Sequence, residues 1–201
     1  MKNIYKFITV LTISLNCFAQ SPIVDIEDAY PSQDPFGVYY KDTHNQLDSY
    51  EGTYIYTDAN QTLKIVLQKK VLSVNMNQSV YQDLIIGEFQ HIVNGVEKIN
   101  TLSRLNANQS DKRFHGITAN QILLGTELGC DDCSPNEKTL AGGLKDNVAH
   151  SNARIRFRKI TVGGQPALKF SLYWEMRVKK GENAIVKYPS IAPADYILIK
   201  Q

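Results

Sequence analysis

A regular alternation of apolar and polar residues near the C-terminus constrains the fold more than any other feature of this sequence. Apolar side chains recur at every second position on both sides of Gly163-Gly164. If these glycines form a two-residue turn, the predicted apolar pairs are Ala153–Trp174, Ile155–Leu172 and Phe157–Phe170. The opposite face then holds Arg154, Arg156, Arg158, Lys169, Ser171 and Tyr173. The pattern predicts an antiparallel ribbon with one buried face.

The same two-residue period begins near Tyr50 and predicts strands there. Leu63, Ile65 and Leu67 alternate with polar residues, but the next apolar set begins at Leu72, with the opposite phase. Such a change of phase indicates a bulge or a turn near Lys69-Lys70.

Asn94-Gly95 is the clearest hairpin signal, because both residues accept the positive φ angles of a type I′ turn. A two-residue loop there predicts the pairs Val93–Val96, His91–Lys98, Phe89–Asn100 and Gly87–Leu102. Both faces of this hairpin mix polar and apolar groups, which suits the wall of a barrel.

The chain is therefore predicted to be all-β, an antiparallel meander forming a barrel or a partly open barrel. Residues 48–201 are expected to form a single β domain, of a length that supports one core. Residues 20–47 are polar and contain three prolines, so we expect an extended segment that precedes the domain.

The N-terminus has the three parts of an export signal. Lys2 and Lys6 precede an apolar stretch at residues 7–15, which is too short to span a bilayer. Small residues at Cys17 and Ala19 predict cleavage after Ala19, so residues 1–19 are expected to be a signal peptide. Acylation of Cys17 as a lipoprotein is the alternative. The expected location is secreted, periplasmic or at the cell surface.

Charge argues against some partners. The whole chain carries a formal charge of +2, and removing Lys2 and Lys6 leaves 20 basic and 20 acidic side chains. A neutral total gives no general attraction to nucleic acid or anionic lipid. No second long apolar segment is present, so we expect no transmembrane segment in the mature chain.

Cys130-Asp131-Asp132-Cys133 is the most distinctive local group. In an oxidising compartment, a disulfide between Cys130 and Cys133 is the first expectation. A metal site and a redox-active pair are the alternatives. Zinc would need further ligands, and His115 and His150 lie at spacings that match no standard zinc motif. We expect no metal and no cofactor.

Several phrases resemble a known but uncharacterised family. They are Tyr39-Tyr40-Lys41-Asp42, Glu51-Gly52-Thr53-Tyr54, residues 65–69, residues 83–90 and residues 94–102. The family consists of secreted proteins from Bacteroidota with a domain of unknown function. The resemblance implies export and a β fold, and it brings no activity and no catalytic residues.

Gly52-Thr53-Tyr54 is also similar to the Gly-x-Trp element that opens the first strand of lipocalin-like (calycin) barrels. In those proteins the element follows an extended N-terminal segment, as it does here. This similarity implies a lipocalin-like, meandering barrel.

The leading functional hypothesis is a non-enzymatic barrel that binds a small apolar or amphipathic ligand inside. A closed sheet of this size can hold one small molecule. The hypothesis predicts a continuous interior cavity that contacts Tyr54, Phe89 and Trp174.

The alternative is a surface protein that binds a glycan or another protein through a basic sheet face. Arg154, Arg156 and Arg158 would hold carboxylates or phosphates, and Tyr173 would offer a ring for stacking. Catalysis is the third option. Asp83 and Glu88 differ in parity along a strand, and no nucleophile or phosphate-loop motif is present, so no catalytic residue is predicted.

Overall fold

The computed structural model describes residues 22–28, 37–74, 80–107, 109, 111–127, 130–174 and 189–201. The predicted signal peptide lies outside these residues, as do the side chains of Val74, Arg113 and Trp174. The strands are β1 (Ile23–Asp25), β2 (Val38–Lys41), β3 (Gly52–Thr57), β4 (Gln61–Val74), β5 (Val80–Val93), β6 (Val96–Asn100), β7 (Ile117–Leu124), β8 (Lys138–Asp146), β9 (Ser151–Val162), β10 (Gln165–Trp174) and β11 (Asp195–Lys200). No helix in the described part of the chain is long and apolar enough to cross a membrane.

Eight of these strands close into an antiparallel barrel. The order around it is β3, β4, β5, β7, β8, β9, β10 and β11, and β11 pairs with β3 to complete the circle. The barrel strands follow one another in chain order, apart from β6, which pairs only with β5. The predicted all-β antiparallel meander is confirmed, and the barrel is closed.

The C-terminal hairpin has the predicted register. Phe157 pairs with Phe170, and Arg154 pairs with Tyr173. Both turn glycines have positive φ, 57° at Gly163 and 81° at Gly164, as a two-residue hairpin turn requires. Because the register is right, the inner and outer faces of β9 and β10 are those that the alternation indicates.

The Asn94-Gly95 turn is also as predicted, with Val93 opposite Val96, but the other three predicted pairs of that hairpin are wrong. A bulge between His91 and Ile92 shifts the pairing, so His91 lies opposite Ile99 and Gln90 opposite Asn100. Gly87 pairs with Ile117 of β7 and not with Leu102. Directly after β6, the Thr101 N–H donates to the Phe89 carbonyl at 2.9 Å.

The predicted change of phase in β4 is a bulge between Lys70 and Ser73. Leu72 lies in it with φ at 47°, and its N–H donates to the Asp83 carboxylate at 2.9 Å. The described part of residues 20–47 adds two short parallel strands, because β2 pairs with the start of β5 and β1 pairs with β2.

The barrel interior is filled by the inward side chains of all eight strands. The large ones include Tyr54, Phe89, Phe157 and Phe170, each no more than 1% exposed. Additional side chains from outside the barrel strands join this core, namely Ile26, Leu47, Tyr50, Ile99 and Ile191. Burial of this apolar area is the main stabilising contribution to the fold.

Candidate functional site

The residues that the sequence suggested for an interior pocket lie in the packed core. Tyr54 is 1% exposed and Phe89 is fully buried, and both belong to one continuous cluster of buried side chains. The backbone of Trp174 is at the end of β10, and its side chain lies outside the described residues. The described residues form a cavity elsewhere, and neither Tyr54 nor Phe89 lines it.

That cavity is a cleft of about 810 Å³ on the outside of the barrel. Its lining comes from strands β7 to β10, with Gln82 of β5 at one side. The outer position of the cleft follows from strand alternation, because Ala153 and Ile155 of β9 point inward and Arg154 and Arg156 therefore point outward.

One row of outward residues crosses the cleft from β7 to β10. Thr118 pairs with Gly143, Gly143 with Arg154, and Arg154 with Tyr173. Gly143 has no side chain, so the sheet has a depression between larger neighbours. A Cβ atom placed on Gly143 would meet nothing closer than the Ala153 carbonyl oxygen at 3.8 Å, which shows that the space above it is open.

The next row deepens the same depression. It contains Gln121, Ala141 and Arg156, and Ala141 is again small. Arg156 is only 3% exposed, and its guanidinium donates to the backbone carbonyl of Glu127. From Ala141 to Lys145 the floor of the cleft extends for about 14 Å along β8.

The charged side chains among the described residues that line the cleft are cationic. Lys145, Arg154 and Arg156 contribute three cationic side chains, and no carboxylate belongs to the described residues that line it. The ammonium of Lys145 lies 5.3 Å from the centre of the Phe114 ring. The remaining lining is rich in residues with hydrogen-bonding groups, including Asn152 and Tyr173, and Tyr173 is 40% exposed.

Arg158, the third arginine of the predicted basic face, has another role. Its guanidinium donates to Asp132 at 2.8 Å and to Glu137 at 2.9 Å. The hydrogen bond with Glu137 raises the pKa of Arg158, and the hydrogen bond with Arg158 lowers the pKa of Glu137. Lys169 also contacts Asp132, and this hydrogen bond lowers the pKa of Asp132. These pairs hold the β7–β8 loop against the outer face.

Cys130 and Cys133 lie within that loop and are paired as a disulfide, with Cα atoms 5.3 Å apart. The predicted pairing is therefore supported. The disulfide and the ion pairs of Arg158 fix the loop at one end of the cleft, beside Arg156. The basic row thus divides into an exposed Arg154, a buried Arg156 and a loop-bound Arg158.

The sequence did not identify the β7 and β8 side of the cleft. Thr118, Gly143 and Lys145 come from a segment whose alternation is interrupted, because a bulge lies between Ala119 and Gln121. Gly142 fits this bulge, since a Cβ there would lie 2.1 Å from the Thr118 carbonyl oxygen. The small residues at Ala141 and Gly143 were the available signal for a depression.

Two further groups of polar side chains lie outside the cleft. Glu88 points away from the barrel interior and accepts a hydrogen bond from the His115 ring at 2.9 Å, with both side chains no more than 1% exposed. Asp25, Glu27 and His44 bring ligand atoms within 4.8 Å of one another. Their carboxylates already accept bonds from Thr43, Gln46 and Lys138.

Comparison with known proteins identifies the chain only at the level of a family. No curated protein and no solved structure gives a significant match. The model of one family, described as a family of unknown function (DUF6705), matches residues 1–201. The chain belongs to this family of unknown function.

Proposed function

We propose that this domain is a non-catalytic binding module that holds a glycan in the cleft on the outside of its barrel. The observation that carries the proposal is the cleft itself, about 810 Å³ between Thr118 and Tyr173. Its volume falls within the range of about 300–1,000 Å³ that is usual for sites that bind small molecules.

The chemistry of the lining supports a hydroxylated ligand. Asn120, Gln121 and Asn152 offer amides that both donate and accept hydrogen bonds, and Thr118 adds a hydroxyl. Tyr173 offers an exposed ring, against which the apolar face of a sugar can pack. An apolar ligand would leave most of these groups without partners, at a cost in free energy.

The interior of the barrel supports a ligand less well. Tyr54 and Phe89 contact other core side chains, so a molecule there would have to displace them. The leading sequence hypothesis favoured a ligand in the interior. Because of this packing, we instead place the ligand on the basic face of the alternative hypothesis.

We also propose that the domain acts outside the cytoplasm, as residues 48–201 of an exported chain. The Cys130–Cys133 disulfide is compatible with this location, and the N-terminal residue pattern supports export. The intact mass of the protein recovered from a bacterial host checks the proposal. Loss of residues 1–19 is expected, whereas an acylated N-terminal Cys17 would favour the lipoprotein alternative and an unprocessed chain would contradict export.

A cavity-filling variant tests the binding proposal. Gly143→Phe places a ring over the floor of the cleft, where the backbone has room for it. Thr53→Phe is the matched control, because Thr53 is on the outer face of β3, four strands further around the barrel. Binding to a panel of immobilised neutral and acidic polysaccharides is measured for each protein.

The wild-type domain and Thr53→Phe are expected to bind at least one polysaccharide of the panel with equal affinity. Gly143→Phe is expected to lose that binding while it keeps the same unfolding transition. Failure of the wild-type domain to bind any polysaccharide would contradict the proposal, as would unchanged binding by Gly143→Phe.

A further inference from the structure

The charges of the outer face are distributed unevenly. At the loop end of the face, Arg158 and Lys169 are paired with Asp132, Glu137 and Asp195. Across the cleft the described lining residues include cations but no carboxylate. The acidic side chains of the β7–β8 loop therefore pair with the cations at one end of the face, and the described cations that line the cleft lie beyond them.

Lys145 is at the end of the cleft that lies away from this loop. No aspartate or glutamate among the described residues is within ion-pair distance of its ammonium, which instead lies over the Phe114 ring. In a chain with almost equal numbers of acidic and basic side chains, a cation in a concave site that contacts an aromatic ring, and no carboxylate among the described residues, is available to a ligand.

Lys145 and Arg154 are positioned to contact the same anionic group. Lys145 pairs with Asn152, and Arg154 is two residues further along β9 on the same face. Diagonal neighbours of this kind lie about 7–8 Å apart in an antiparallel sheet. Both side chains are long and flexible, so an ammonium and a guanidinium can converge on one carboxylate or sulfate between them.

We infer that the ligand of the cleft is an acidic glycan, whose acid group is held between Lys145 and Arg154 while a sugar ring packs against Tyr173. The inference rests on the proposed function and names its ligand class. Arg154 and Tyr173 are direct partners across β9 and β10, so the acid group and the ring would belong to the same or to adjacent sugar units.

Nucleic acid fits the same surface less well. A phosphate chain requires a positive path that continues beyond a single cleft. Here the outer face beyond Arg156 carries the carboxylates of Asp132 and Glu137. A short acidic segment of a polysaccharide, with hydroxyl groups facing the amides of Asn152 and Gln121, requires no such path.

The test compares three soluble probes by isothermal titration calorimetry: polygalacturonate, which carries carboxylates, dextran sulfate, and neutral dextran. Lys145→Gln removes the available cation, and Lys98→Gln removes the same charge from an exposed position on β6. We expect at least one acidic probe to bind, dextran not to bind, and Lys145→Gln to weaken acidic binding by about tenfold. Lys98→Gln should keep the wild-type affinity.

The relative affinities for polygalacturonate and dextran sulfate identify the acid group as carboxylate or sulfate, and either preference supports the inference. Equal binding of dextran and the acidic probes, unaffected by Lys145→Gln, would overturn the acidic assignment and leave the proposed glycan cleft intact. Equal loss in Lys145→Gln and Lys98→Gln would show general charge attraction and would also overturn it. Absence of binding to all three probes and to the wider panel would contradict the proposed function itself.

Discussion

The two faces of strand β9 use the same stretch of chain in different ways. On the inner face, Ala153, Ile155 and Phe157 are each no more than 3% exposed and pack in the barrel core. On the outer face, Arg154 lines an open cleft and Arg158 binds the β7–β8 loop. The side chains of the inner face fill the barrel core. The outer face is concave because the neighbouring β8 residues are small. The fold therefore depends on the inner face of β9, and the proposed function depends on its outer face.

The largest expected difference between the two faces is in stability. Phe89→Ala removes a fully buried ring and should lower the free energy of unfolding by about 3–5 kcal/mol. Tyr173→Ala on the outer face should change it by about 0.5 kcal/mol or less. Urea unfolding measures both. If Phe89→Ala does not fold, Phe89→Leu should give a smaller loss that still exceeds that of Tyr173→Ala. Equal losses from the two faces would contradict a packed interior.

The adjacent glycines Gly142 and Gly143 of β8 allow the stability of a tightly packed position to be compared with that of an open one. A Cβ on Gly142 would lie 2.1 Å from the Thr118 carbonyl oxygen, whereas a Cβ on Gly143 has open space around it. Gly142→Ala should therefore cost about 1–3 kcal/mol or more, because the bulge of β7 has to shift. Gly143→Ala should change stability by about 0.5 kcal/mol or less. The two unfolding midpoints measure the difference, and the reverse order would contradict the close approach of β7 to Gly142.

The smallest expected effect is on the pH dependence of the β7–β8 loop. Hydrogen bonds to Lys169 and Arg158 lower the folded-state pKa of Asp132 and of Glu137 respectively. A lowered carboxyl pKa contributes stability that is present above the unfolded value, about 3.9–4.3, and is lost as pH falls through the folded value. Loop docking should thus be constant from pH 8 to about pH 5 and weaken below about pH 4.

Amide hydrogen exchange of Cys133, whose N–H donates to the Cys130 carbonyl, reports on this docking. Glu137→Gln should make exchange faster at neutral pH and reduce the change at low pH. A transition centred near pH 6 would contradict the account, because neither carboxylate titrates there.

The extent of sequence-based prediction follows from how regular each region is. The register of β9 and β10 was predictable because apolar residues alternate without interruption around Gly163-Gly164. The β5–β6 register was not, because the bulge at His91 and Ile92 leaves no mark in the apolar pattern. The β8 side of the cleft was not predicted either, because a bulge interrupts the alternation of β7, the strand that pairs with β8. A concave outer surface depends on which strands become neighbours, and the pairing of β5 with β7 is a long-range contact that local alternation does not encode.

The residues of the basic face illustrate the limit of prediction from strand alternation. Alternation correctly placed Arg154, Arg156 and Arg158 together on the outer face, but it did not distinguish their environments. Their different environments depend on the β7–β8 loop, whose path is determined by its ion pairs and by the Cys130–Cys133 disulfide. Lys145 was not predicted, because its place beside Asn152 requires the β8–β9 pairing.

We propose that the ligand binds on the outer face of the barrel and not inside it. Titration of the ¹⁵N-labelled domain with polygalacturonate oligosaccharides, followed by amide chemical shifts, tests this claim most directly. We predict shift changes at Thr118, Gly143 and Arg154, with the amides of Tyr54 and Phe89 unaffected. Changes at Tyr54 and Phe89, with β8 and β9 unaffected, would contradict it.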